Sequence, residues 1–128
     1  MQVRALLLVI GMTLSTYGSS QRCKPLSFSQ FKERAQGLEV VFYASWCRDC
    51  LVHLKEARVG KTFLLATFDE FDRAIQVLSD LKIDPKIPCG WDRSLEIVKN
   101  LGVSSLPKTL DWQEIEDPKH TKTQSTKK

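Results

Sequence analysis

The chain has 128 residues, 42% of them hydrophobic and 27% charged, which is the make-up of one ordinary globular domain and excludes a collagenous, fully disordered or multi-pass membrane protein. Its net charge of +4 points toward nucleic acid or acidic membranes only until the charges are located. Lys119, Lys122, Lys127 and Lys128 stand in the last ten residues without an acid, and residues 1–118 balance fifteen basic side chains with fifteen acidic ones, so no nucleic-acid partner is expected.

In chain order, Arg4 precedes a ten-residue apolar run, Ala5 to Leu14, and the small polar stretch Ser15-Thr16-Tyr17-Gly18-Ser19-Ser20 follows. This is the layout of a secretory signal peptide over residues 1–20, with small residues suited to cleavage after Gly18 or Ser20. A buried N-terminal helix is the competing reading. Ten residues span about 15 Å as a helix, half a hydrocarbon core, so no stable membrane anchor is expected after processing. Cys23 follows Ser20-Gln21-Arg22, which lacks the residues of a lipoprotein signal. The expected location is exported, periplasmic or secreted, where an unpaired thiol would need explaining.

Ser27 then caps a predicted helix over Phe28 to Gln36, which Gly37 stops. Leu38 to Ala44 is a nearly continuous apolar run, as expected of a strand covered on both faces. Cys47 to about Val59 holds no Gly or Pro before its end and places Cys50, Leu51, Leu54 and Arg58 at helical intervals. Thr62 to Phe68 reads as a second buried strand, and Phe71 to Leu81 as an amphipathic helix. The segment Asp84 to Gly90 is rich in turn residues. Ser94 to Leu101 forms a further predicted helix with Gly102 as its stop, and Lys108 to Trp112 one more strand. Residues 117–128 are a polar, lysine-rich tail. Strands alternating with helices argue for an α/β sandwich around a partly parallel sheet, spanning residues 23–116, with Phe28, Phe31, Phe42, Phe63, Phe68 and Phe71 in its core.

The chemistry concentrates where the first main strand ends and its helix begins. Two cysteines three apart at a helix start, Cys47 and Cys50, place one sulfur at the exposed end and the other one turn inside. Unpaired backbone N–H groups and the positive end of the helix dipole favour a thiolate at Cys47, the species that attacks disulfides, with Cys50 as the resolving thiol. Arg48 helps that thiolate, Asp49 opposes it, and Trp46 is placed to shield the pair. The same spacing makes half of a metal site, so zinc or copper binding through Cys47, Cys50 and His53 stands as an alternative. His120 lies in the tail.

The run Val40-Val41-Phe42-Tyr43-Ala44-Ser45-Trp46-Cys47-Arg48-Asp49-Cys50 resembles the strand and active-site segment of the thioredoxin superfamily. Gly102-Val103-Ser104-Ser105-Leu106-Pro107-Lys108-Thr109 resembles its approach to a cis-proline, and the spacing around Phe68-Asp69-Glu70 is closest to the exported TlpA/ResA-like branch. The resemblance covers about Phe28 to Trp112. It implies a three-layer sandwich and a thiol–disulfide oxidoreductase without a cofactor. Its nucleophile would be Cys47 and its resolving thiol Cys50, with Pro107 in a cis peptide beside the pair. Leu106 would turn its backbone toward an extended substrate. The implied partners are protein thiol or disulfide substrates and an electron-donor or acceptor protein. A catalytically weak interaction module on the same fold is a further reading.

Three departures from that pattern stand out. The acid that many members bury six residues before the first cysteine is Val41 here, leaving water or Glu39 to move protons. Lys55 stands where many members carry a proline. After Pro107 the family has two antiparallel strands and a closing helix, whereas here Leu110, Trp112 and Ile115 are the last large apolar side chains, so the closing helix is expected to be missing and one sheet face poorly covered. A disulfide between Cys23 and Cys89, enclosing about 65 residues and worth roughly 4 kcal/mol, would offset that loss. The spacing leaves equally open that Cys89 is a buried apolar residue or a second redox thiol.

Overall fold

The computed structural model describes residues 22–116; the predicted signal segment and polar tail lie outside the described residues. In chain order the elements are β1 (Lys24–Pro25), α1 (Phe28–Arg34), β2 (Glu39–Tyr43), α2 (Arg48–Lys55), β3 (Thr62–Ala66), α3 (Phe71–Asp80), β4 (Cys89–Trp91), α4 (Glu96–Leu101), β5 (Lys108–Leu110) and α5 (Trp112–Glu116). The five strands form one mixed sheet in the order β1-β4-β3-β2-β5, with β5 antiparallel to β2 and the other pairings parallel.

Local chemistry sets the element ends. Ser27 Oγ accepts the Gln30 amide while Gln30 Oε1 accepts the Ser27 amide, a reciprocal cap that starts α1. Gly102, at φ +70, takes the left-handed turn that ends α4. The helix α2 stops at Lys55, four residues short of its predicted end, because the chain turns at Gly60 (φ +82) and the Arg58 amide is taken by Thr62 Oγ1.

β4 lies in a stretch that reads as turn. Pairing makes it a strand: Leu64 aligns with Cys89 and Ala66 with Trp91 in the β3 register. Gly90 permits a close approach there, since a Cβ would run into the Leu26 side chain and the Phe63 ring. β1 is a two-residue edge strand, a position that tolerates Pro25.

The chain crosses from edge strand β1 to β2, then steps back through β3 to β4. Right-handed crossovers in opposite directions put their helices on opposite faces. Accordingly α1 packs on one face with α4 and α5, around Phe31, Phe42, Phe63, Leu65, Ile97 and Ile115. The other face carries α2 and α3, around Val41, Tyr43, Leu64, Leu54, Leu78 and all four cysteines. Alternate residues of β2 and β3 serve alternate faces, as the strand period requires.

Two expectations about this core are corrected. Phe68 is 36% exposed, because its backbone enters the left-handed region at φ +55 and turns the ring outward. A closing helix does follow β5: α5 is short, but it seats Ile115 fully buried against the α1/α4 face. The shortfall appears on the opposite face beside β5. There only α2 overhangs the sheet, and a cavity of about 260 Å³ remains over Val41 and Thr109.

Candidate active site

The loop Ala44 to Cys47 leaves the carboxyl end of β2, the rim at which open α/β sheets place ligands where their crossovers change direction. Cys47 is the N-cap of α2: its backbone is extended and its Sγ accepts the Cys50 amide at 3.2 Å. Cys47 and Cys50 are joined in a disulfide with their Cα atoms 5.3 Å apart. Cys50 is fully buried on the inner side of α2, and Cys47, expected at the exposed end, is buried as well, with 6% of its surface exposed. Arg48 and Asp49 are both exposed, on the first turn above it.

One side of this loop is fastened by the corner that follows β3. The Asp69 carboxylate accepts the Ser45 amide at 2.6 Å and the Glu70 amide at 2.9 Å, while the Asp69 carbonyl accepts the Trp91 indole N–H. Trp46, expected to shield the pair, instead leaves 61% of its surface exposed and donates Nε1–H to the Phe68 carbonyl at 2.8 Å. Asp69 is a supporting residue that sequence reasoning missed, because its partner loop lies on a different strand.

Leu106 and Pro107 flank the other side. The peptide between them is cis, as the resemblance implied. Phe42 aligns with Lys108 in the β2–β5 register, which brings Pro107 and Leu106 alongside Tyr43 and Ala44, next to the cysteine loop. Leu106 is half-buried and packs against both core clusters, the one holding the cysteine pair included.

Beneath the pair, Val41 is buried and Glu39 is exposed at the start of β2. Glu39, His53, Glu56, Ala57, Thr62 and Thr109 line the cavity over Val41, and His53 Nδ1 lies 3.9 Å from Glu56 Oε1. The alternative of a metal site at Cys47, Cys50 and His53 is not assembled: the two sulfurs are bonded to each other, and no group of three or more His, Cys, Asp or Glu converges among the described residues.

A second disulfide joins Cys23 to Cys89, with Cα atoms 4.4 Å apart, and fastens β1 to β4. Cys23 holds a left-handed backbone, φ +58. Beside it Arg22 Nη2 donates to the Asp84 carbonyl at 3.0 Å, and burial draws the guanidinium below its ordinary range. The Tyr43 hydroxyl donates to the Ala74 carbonyl at 2.9 Å and lies 3.9 Å from Cys89 Sγ; burial pushes its ionisation well above the usual tyrosine range. Behind β4, the buried Asp92 carboxylate accepts the Ile97 and Val98 amides and caps α4. The helix was predicted to start at Ser94, two residues before its observed start at Glu96; the Ser94 Oγ accepts the Glu96 amide at 3.4 Å.

No protein-family model matches the chain, and no curated protein is similar to it. Among the described residues no helix is long and apolar enough to cross a membrane, and two disulfides are compatible with an oxidising compartment.

Proposed function

We propose that the chain is a thioredoxin-like thiol–disulfide oxidoreductase, exported to an oxidising compartment and nearest to the TlpA/ResA-like branch. The observation that carries this reading is the Cys47–Cys50 disulfide at the N-terminus of α2, set on the sheet rim opposite the cis Leu106–Pro107 peptide.

In the reducing direction, the Cys47 thiolate attacks one sulfur of a substrate disulfide. The departing sulfur takes the electron pair and a proton, and a mixed disulfide forms. Cys50, deprotonated, then attacks Cys47 Sγ, expels the second substrate thiol and closes the internal disulfide; the substrate is reduced and the protein dithiol oxidised. The Cys50 amide aimed at Cys47 Sγ and the N-terminus of α2 favour the attacking thiolate. The Leu106 backbone offers an edge on which an extended substrate can add as a strand. Trp46 and Phe68 supply apolar contact, and Asp69 holds the loop in place.

The test is reduction of insulin disulfides by dithiothreitol with wild type and with Cys47→Ser. The variant is expected to lose at least a hundredfold in rate. Equal rates would remove the enzyme reading and leave an interaction module. The reduction potential of the pair then sets the direction, since reductants of this chemistry lie near −270 mV and oxidants near −120 mV.

A further inference from the structure

A groove of about 220 Å³ opens on the α3 side of the cysteine loop, lined by Ser45, Arg73, Gln76, Val77 and Asp80. We infer that it is a substrate subsite, holding the peptide part of a small zwitterionic peptide disulfide while Cys47 takes its sulfur; the inference rests on the redox reading of Cys47 and Cys50. The groove adjoins the pair through Ser45. The Cys47 amide donates to the Ala44 carbonyl at 3.1 Å, closing a four-residue turn with Ser45 at its first central position. Two peptide units separate Ser45 from Cys47, so their Cα atoms lie no more than about 7.6 Å apart. The Asp69 carboxylate on the Ser45 amide fixes this near wall.

The far wall is one stripe of α3, where Arg73, Gln76, Val77 and Asp80 stand at helical spacing on a shared face. Only Val77 among them is apolar. The helix is a rigid wall, because Ala74 and Leu78 are buried beneath it and the Ala74 carbonyl accepts the Tyr43 hydroxyl. β3 and β4 are parallel, so α3 runs from the cysteine rim back toward the opposite end of the sheet, with Arg73 near the cysteines and Asp80 far from them. Seven residues of helix separate the two charges by about 10 Å. An extended peptide of three residues spans about 10–11 Å, so its carboxylate meets Arg73 while its ammonium meets Asp80. The guanidinium fork suits a carboxylate, and the exposed pair of Arg73 Nε with Glu70 Oε1 at 3.6 Å is weak enough to exchange. Gln76 Nε2 occupies one Asp80 oxygen at 2.8 Å and leaves the other for the ammonium. The volume is below the roughly 300–1,000 Å³ of pockets for drug-sized ligands, which matches two or three residues.

The Cys47 thiolate attacks one sulfur of the peptide disulfide. The S–S bond breaks, and its electron pair leaves on the departing peptide sulfur, which takes a proton from solvent. The retained peptide stays bonded to Cys47 with its charged ends on Arg73 and Asp80. Cys50, its proton lost to solvent, attacks Cys47 Sγ and expels the second peptide thiolate. One peptide disulfide is reduced to two thiols, and the Cys47/Cys50 dithiol is oxidised to the disulfide.

The experiment compares two disulfides. Protein with Cys47 and Cys50 reduced and Cys23–Cys89 intact is mixed with oxidised glutathione or with uncharged bis(2-hydroxyethyl) disulfide. Closure of the Cys47–Cys50 bond is followed by acid quench, alkylation and mass spectrometry. Wild type should close about tenfold faster with oxidised glutathione, at a rate that saturates with its concentration. Arg73→Ala should lose about tenfold of the glutathione rate below saturation, through weaker binding rather than a lower limiting rate, and stay within about twofold with the uncharged disulfide. Asp80→Asn should show the same pattern with a loss of about threefold. The inference is overturned if wild type shows no preference for oxidised glutathione, or if both variants keep its rate. A loss that is equal for the two disulfides overturns it as well, since that marks a disturbed cysteine loop. Closure by neither disulfide in wild type overturns the redox reading itself, and the inference with it.

Discussion

Replacing Cys23 and Cys89 together by alanine should remove about 4 kcal/mol of stability while leaving the reactivity of Cys47 in place; replacing Cys47 and Cys50 should do the reverse. The two bridges close very different loops, 66 residues against 3. In the chain-entropy model the longer loop is worth about 4 kcal/mol and the shorter about 1.6 kcal/mol. The native state adds to the contrast. Without its sulfur link, β1 is held by two register pairs, the Leu26 amide on the Trp91 carbonyl and the Arg22 bonds to the loop before β4. The assay is urea unfolding without reductant. At a slope of about 1.5 kcal/mol/M, the Cys23/Cys89 variant should unfold roughly 3 M lower in urea, and its slope should rise because the unfolded chain is released. A loss under about 1.5 kcal/mol for that variant, or a larger loss for Cys47/Cys50, would refute the reasoning.

Asp92→Ala should cost about 3 kcal/mol, or roughly 10–25 °C in Tm by calorimetry, because it strips the cap of α4 and leaves two buried amides and the Thr67 hydroxyl without their acceptor. Asp92→Asn, which keeps one acceptor oxygen, should lose less. Tyr43 carries an alkaline signature: its ionisation is raised in the folded state, so its contribution is complete below the unfolded tyrosine value near pH 10 and is lost as pH climbs further. Tyr43→Phe should cost about 1 kcal/mol at neutral pH and flatten the fall in stability above pH 10, as read by urea unfolding across that range.

What could be read from the sequence was what neighbours in the chain decide. β2 and β3 stand out because both their faces are buried, giving unbroken apolar runs, and α1 because Ser27 and Gln30 satisfy each other locally. β4 could not be read: Cys89-Gly90-Trp91 follows two prolines in seven residues and becomes a strand only by pairing with β3. Phe68 was misplaced because hydrophobicity says nothing of a left-handed backbone. The Cys47/Cys50 pair was legible as spacing, and the cis Pro107 only through the resemblance that its segment carries. Asp69, the cavity of His53 and the Asp92 cap were not, because each depends on elements distant in the chain meeting at the sheet.

The two disulfides share one apolar cluster, and their exposures, at most 7% for any of the four sulfurs' residues, do not tell them apart. Their surroundings do. Cys47 Sγ faces a donor, the Cys50 amide, at the head of a helix, so the protein stabilises negative charge on that sulfur. Cys89 Sγ lies 3.7 Å from the Gly90 carbonyl oxygen, which opposes such charge, at the inner side of an edge strand. A leaving thiolate is thus favoured at one bridge and disfavoured at the other, while the entropy of closure is large for the second and small for the first. Both terms act in the same direction: a limited supply of dithiol opens Cys47–Cys50 before Cys23–Cys89. The topology makes this division physical, since the bond that clamps β1 sits at the sheet's edge and the bond proposed to exchange sits on its rim, at the end of a central strand.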